Sequence, residues 1–143
     1  MLTALVILGV TACVMLGFST TFIPGPVDEN TRLESSITKT ADFNGAALDL
    51  GSGFAPGGPG QAMSVIIDTS ARDFTTGDET YAFVVQESSD NSSWTTISVA
   101  VSVTALGVVA IPVFVSQRYV RTNLDVAGTT PSITYEAWLV PHQ

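Results

Sequence analysis

Few residues in this chain of 143 can carry chemistry, and their spacing decides among the options. Ser and Thr total 32, so hydroxyl nucleophiles are plentiful. A hydroxyl needs a base to take its proton, and the one histidine, His142, stands next to the last residue, where chain ends fray. A Ser-His-Asp triad is therefore not expected. Glu87, Asp90, Asp125 and Glu136 offer carboxylates of the kind that cleave glycosides in pairs. Only two Trp accompany them to line a sugar groove, so solvated strand and loop charges are the simpler reading. Asp68, Asp73, Asp78 and Glu79 surround the turn Thr75-Thr76-Gly77 and supply oxygens that suit calcium, but without EF-hand spacing. An acidic turn is the plainer alternative. A single cysteine, Cys13, excludes an internal disulfide and a cysteine-based zinc cage. The glycine-rich stretch from Leu50 to Gly60 lacks the Gly-Lys-Ser/Thr ending of a phosphate loop and places Pro56 where a dinucleotide fingerprint wants Gly. Asn91-Ser92-Ser93 matches a glycosylation acceptor, but within Ser88 to Ser93 it reads as a turn between strands. No catalytic residue, cofactor-binding residue or metal ligand is assigned, and the chain is expected not to be an enzyme.

The remaining candidates are contacts. Arg118 and Arg121 flank Tyr119 and offer guanidinium groups to a carboxylate of a neighbouring subunit, with a surface ion pair as the duller reading. They are two of only 5 basic residues, against 13 acidic ones, for a net charge of -8. Such a chain has no basic patch for a nucleic-acid backbone, so no nucleic-acid partner is expected.

The elements that must position these residues are strands. Val, Ile and Thr number 17, 8 and 18, and branched side chains pack well on a pleated surface. Period-2 alternation runs through Ile37–Phe43, Ala62–Asp68, Tyr81–Gln86 and, weakly, Trp94–Val103. In 118–126, Val120, Thr122, Leu124 and Val126 face opposite to Tyr119, Arg121, Asn123 and Asp125. Ile133, Tyr135, Ala137 and Leu139 share a face in the last run. Leu106 to Val115 is apolar on both faces and predicts a central strand or one covered on both sides, while Pro112 within it predicts an edge, a bulge or a break. Seven or eight strands and no helical period after residue 20 predict an all-β fold, an antiparallel β-sandwich or jelly roll over residues 28–143.

Residues 1–27 differ in kind. Residues 1–18 carry no charge, and 19–31, with Pro24-Gly25-Pro26, read as a linker with the domain boundary near residue 27. A secretory signal needs a basic start that is missing. Val10-Thr11-Ala12-Cys13 fits a lipoprotein box, but apolar Val14-Met15-Leu16 follows it. A membrane helix needs about 20 apolar residues, so contact with a membrane through 1–18 stays open. The leading reading is an apolar arm that packs on a partner or is exchanged between subunits, with Leu5, Ile7, Val14, Phe18 and Phe22 as its contact residues.

Four segments carry a resemblance: Ala46-Ala47-Leu48-Asp49-Leu50-Gly51, Phe83-Val84-Val85-Gln86-Glu87-Ser88-Ser89-Asp90, Trp94-Thr95-Thr96 and Arg118-Tyr119-Val120-Arg121-Thr122-Asn123. In order and spacing they resemble the small jelly-roll cement, or decoration, proteins of tailed bacteriophages, over roughly residues 31–143. The resemblance implies a homotrimer on the outer surface of a capsid, with the major capsid protein as partner, and no catalysis and no cofactor. In that family the first strand lies close to the start, whereas about 27 residues precede it here. The reading from a different class is a bacterial surface or periplasmic β-sandwich binding protein, membrane-anchored through a lipid on Cys13 or an uncleaved helix. Deleting residues 2–27 is expected to leave a folded sandwich and to weaken or abolish shell binding. Sedimentation with purified shells checks this, and equal decoration by the shortened chain removes the arm from the binding mechanism.

Overall fold

The computed structural model describes residues 28–53 and 60–141. A single turn of 3-10 helix, Glu29–Thr31, is capped by Asp28, whose side chain accepts from the Asn30 amide. Ten strands follow: β1 (Arg32–Lys39), β2 (Phe43–Asn44), β3 (Leu48–Asp49), β4 (Gln61–Arg72), β5 (Thr80–Ser88), β6 (Thr95–Thr96), β7 (Val101–Ser102), β8 (Gly107–Val115), β9 (Tyr119–Ala127) and β10 (Ile133–Pro141). Every pairing is antiparallel. One sheet has four strands in the order β1-β10-β4-β8. The second has β9 and β5 at its centre, with β2 and β3 on the β9 side and β6 and β7 on the β5 side.

The alternation in sequence sets which side chains meet between the sheets, because successive residues of a strand point to opposite faces. Val65 and Ile67 of β4, Ile111 and Val115 of β8, and Tyr135 and Leu139 of β10 come from one sheet. Phe83 and Val85 of β5, and Val120 and Leu124 of β9, come from the other. Phe83 and Tyr135 meet edge to face across the gap, with ring centroids 4.9 Å apart.

Three expectations change in the structure. The alternating run Ile37–Phe43 is not one strand: β1 stops at Lys39 and Phe43 joins the other sheet, opposite Leu124. Asp42 makes the crossing by accepting from the Val126 amide at 2.8 Å. The weak run Trp94–Val103 divides into β6 and β7 because the Ser98 hydroxyl takes the Val85 amide at 2.8 Å, in place of a backbone carbonyl. The apolar run at 106–115 is neither central nor covered on both sides. It forms β8 at the edge of the four-stranded sheet, with Val108 63% and Phe114 64% exposed. Pro112 sits on this edge strand opposite Ser64, as a residue without an amide donor should.

The end of the sandwich near β5 is tied by Tyr81. Its hydroxyl lies 2.9 Å from the Asp73 carbonyl and 3.0 Å from the Ser132 carbonyl, and accepts from the Ser132 amide. Gly128 closes the neighbouring turn with φ +112, and a Cβ there would stand 2.6 Å from the Glu79 Cα. Gly77 has φ +79 but open space around it. Gly77→Ala is therefore expected to cost about 1–2 kcal/mol from left-handed backbone alone. Gly128→Ala is expected to cost more, about 2–4 kcal/mol, because backbone must also move. Urea unfolding of the two variants checks the order.

Candidate functional site

The outer face of the six-stranded sheet is polar, and it holds the two arginines singled out in the sequence. Arg118 grips Asp49 with two parallel bonds, Nε to Oδ1 and Nη2 to Oδ2, both 2.7 Å. The pair holds the Asp49 carboxyl down to about 2 and raises the Arg118 guanidinium. Arg118 also lies 5.1 Å from the Tyr119 ring. Arg121 donates from Nε to the Gln86 Oε1 at 2.9 Å and stands 4.2 Å from the Trp94 ring. Both guanidinium groups thus have partners within the chain, and the Arg118 pair is the surface ion pair of the duller reading. Leu5, Ile7, Val14, Phe18 and Phe22, together with Cys13 and His142, lie outside the described residues.

The carboxylates raised as possible acid–base groups do not converge. Asp125 lies on the outer face of the six-stranded sheet and Glu136 on that of the four-stranded sheet, opposite Asp68. Glu87 lines an open hollow of about 360 Å³ with Ser88, Ser89, Ser93, Thr95 and Gln117. Its oxygens are taken up by the 116–117 turn: Ser116 N and Oγ donate at 2.8 Å, and Gln117 N at 3.1 Å. Asp90 accepts from the amides of Ser92 and Ser93 and from the Ser88 hydroxyl, which pulls its carboxyl to about 2. Asn91 takes φ 57 in that turn, which suits the turn reading of Asn91-Ser92-Ser93.

The acidic turn is a latch between two loops. Asp73 accepts from the Thr75 amide and hydroxyl, and Glu79 from the amides of Thr76 and Gly77 and the Thr76 hydroxyl. Asp78 reaches across to Thr129, accepting from its amide at 3.1 Å and its hydroxyl at 2.9 Å. These bonds lower all three carboxyls. Among the described residues no group of His, Cys, Asp and Glu is arranged to hold a metal ion.

The sequence reading missed the outer face of the four-stranded sheet. Its cross-strand rows place Arg32, Trp138, Ile66 and Ala110 side by side, then Val140, Ser64 and Pro112, then Ala62 and Phe114. The face is apolar across these rows, apart from Arg32 and Ser64, and turns polar towards its other end at the Glu136–Asp68 and Thr38–Thr134 pairs. Leu106, Val108 and Phe114 at the β8 edge are all at least 60% exposed. The signal was present: Leu106 to Val115 and Val65-Ile66-Ile67 lack a polar face, which an isolated half-exposed sheet requires.

Searches against protein-family models and curated proteins return no match for this chain.

Three glutamates are buried among the described residues, Glu34, Glu79 and Glu87, and Glu34 packs against the Gly45–Thr122 contact. Glu34 is 7% exposed and accepts from the Ala46 amide at 2.9 Å. A Cβ on Gly45 would meet its Oε1 at 2.5 Å and the Thr122 Oγ1 at 2.7 Å, so only glycine lets these groups close up. Burial raises the Glu34 carboxyl, and burial together with Glu34 raises the Tyr135 hydroxyl. The native fold therefore prefers Glu34 protonated, and its contribution fades as pH rises from about 4.5 through the raised value. Asp49 and Asp90 act oppositely, contributing above their usual range near 3.8 and losing that contribution as pH falls to about 2. Glu34→Gln keeps an acceptor for Ala46 and is expected to flatten the fall in Tm between pH 4.5 and 7 while leaving the acid-side loss intact. Thermal unfolding across pH checks both limbs.

Proposed function

We propose that this chain is a structural virion protein, a capsid decoration or cement protein that forms an oligomer, a trimer by its family resemblance, on the outer surface of the shell. The observation that carries this reading is the open apolar edge of β8. Leu106, Val108 and Phe114 stand 60%, 63% and 64% exposed beside Pro112 and Ala110. A contiguous apolar patch on a soluble chain marks a surface meant for a neighbour. Strand order supports the same reading. With β2 and β3 counted as one strand and β6 and β7 as another, the two sheets run 1-8-3-6 and 2-7-4-5. This order agrees with the jelly-roll part of that reading.

The mechanism is burial. A stable interface covers about 1,200–2,000 Å² in total, and apolar area contributes about 25 cal/mol per Å² removed from water. Such contacts across capsomer junctions raise the barrier to shell rupture without any reaction. A net charge of -8 suits a position outside the shell, where packaged nucleic acid does not repel it.

Light scattering on the full chain is expected to give a trimer, and virion preparations are expected to contain the chain alongside the major capsid protein. Replacing Val108 and Phe114 by Ser is expected to leave the fold intact, because both are exposed, and to weaken self-association or shell binding at least about tenfold, equivalent to about 1.4 kcal/mol. A variant that assembles like the parent removes the β8 edge from the mechanism. An intact mass lacking residues 1–12, with acyl mass on Cys13, would instead establish the membrane-anchored alternative.

A further inference from the structure

The six-stranded sheet ends on one side in β2, a strand of two residues, and the chain's one Asn-Gly pair, Asn44-Gly45, sits there. Asparagine before glycine is chemically labile, because no Cβ keeps the glycine nitrogen from the asparagine side-chain carbon. The fold nevertheless requires this glycine. A Cβ on residue 45 would stand 2.5 Å from Glu34 Oε1, 2.7 Å from Thr122 Oγ1 and 3.0 Å from the Thr122 carbonyl oxygen. Packing around the buried Glu34 thus fixes the residue that makes Asn44 labile.

The same packing holds the pair out of the reactive geometry. The Gly45 amide donates to the Thr122 carbonyl at 2.8 Å. The Asn44 Oδ1 accepts from Asn123 Nδ2 at 2.8 Å, across the ladder pair of the two residues. The Ala46 amide donates to Glu34 Oε1 at 2.9 Å. Ring closure needs the reverse: a nitrogen free of its acceptor and a side chain folded back over it. A two-residue edge strand opens more readily than the long strands, so the labile geometry is reached by local opening.

We infer that Asn44 is a spontaneous modification site, gated by detachment of β2 from β9. In the opened segment the Gly45 nitrogen attacks the Asn44 Cγ. The Cγ–Nδ2 bond breaks, and the leaving group takes the Gly45 proton with it as ammonia. Water then opens the cyclic imide and returns a proton to the Gly45 nitrogen. Cleavage at Cγ leaves aspartate. Cleavage at the main-chain carbonyl leaves isoaspartate, whose backbone is longer by a methylene. Nothing is oxidised or reduced, and water is the only reagent.

The two products act differently on the fold. An aspartate at position 44 still accepts from Asn123 Nδ2. The longer isoaspartate backbone displaces Gly45 from Thr122 and Ala46 from Glu34, which opens the crossing from β1 to β2 beside the buried carboxyl.

Full-length chain is kept in mildly alkaline buffer, either folded or in urea, and sampled over time by peptide mass spectrometry. In urea, Asn44 is expected to lose its amide faster than Asn30, Asn91 and Asn123. In the folded chain it is expected to react at least about tenfold more slowly than in urea, since only molecules with β2 open can close the ring. A rate in urea no higher than at the other three asparagines would overturn the site. Equal rates folded and in urea would overturn the gate. Asn123→Ala removes the donor that holds the Asn44 side chain, and is expected to speed the folded reaction at least about twofold with the rate in urea unchanged. An unchanged folded rate would contradict the gate. Hydrogen exchange at the Gly45 amide of the unaltered chain reads the same opening without a variant. Protection is expected to match the ratio of the two deamidation rates, and an unprotected Gly45 amide would overturn the inference.

Discussion

The meeting of Phe83 and Tyr135 between the sheets is the contact on which the rest depends. Each ring is fully closed to solvent, one from β5 and one from β10. An aromatic pair of this geometry contributes about 0.5–1.5 kcal/mol beyond its buried area. Its larger effect is on register. A slip of one residue in β10 would turn Tyr135 outward and bring a polar neighbour, Thr134 or Glu136, inward. With those registers set, Tyr81 reaches Asp73 and Ser132, Thr122 faces Gly45, and the loops at both ends fall where their carboxylates can hold them.

The acidic excess looks different once the loops are seen. Nine of the 13 acidic side chains accept from backbone amides: Asp28, Glu34, Asp42, Asp49, Asp73, Asp78, Glu79, Glu87 and Asp90. Loops between short strands leave amides without ladder partners, and a carboxylate satisfies two or three at once. Much of the charge of -8 thus goes into closing the many turns between strands. Its value as a hint about the surroundings is correspondingly smaller.

The long strands were legible in sequence wherever one face is apolar and the other polar. β5, β9 and β10 keep the core faces that alternation gives them, down to Tyr81, Leu124 and Ile133. Alternation failed where a local polar group replaces a ladder bond, as Asp42 does for the Val126 amide and Ser98 for the Val85 amide. Asp42 and Val126 stand 84 positions apart, so no window of sequence contains both. Ser98 and Val85, 13 apart, share a window in which alternation does not register a hydroxyl taking a backbone amide. The pairing of Arg118 with Asp49 was hidden because they stand 69 positions apart. The apolar outer face was visible as two runs without a polar side. Length and flanking residues could not tell whether such a run is covered by its own chain, by a partner or by neither.

Pro112 gives the open edge a further consequence. A strand edge with free amides is a template on which copies of a chain zip together, and repetition of one such contact grows a fibre. Here the middle of the exposed edge has no amide to offer, and Val108 and Phe114 project from the face on either side of it. Contact between copies is thereby diverted from backbone pairing to side-chain packing, which is selective for shape. On the proposed reading, such packing closes a symmetric oligomer instead of extending a fibre.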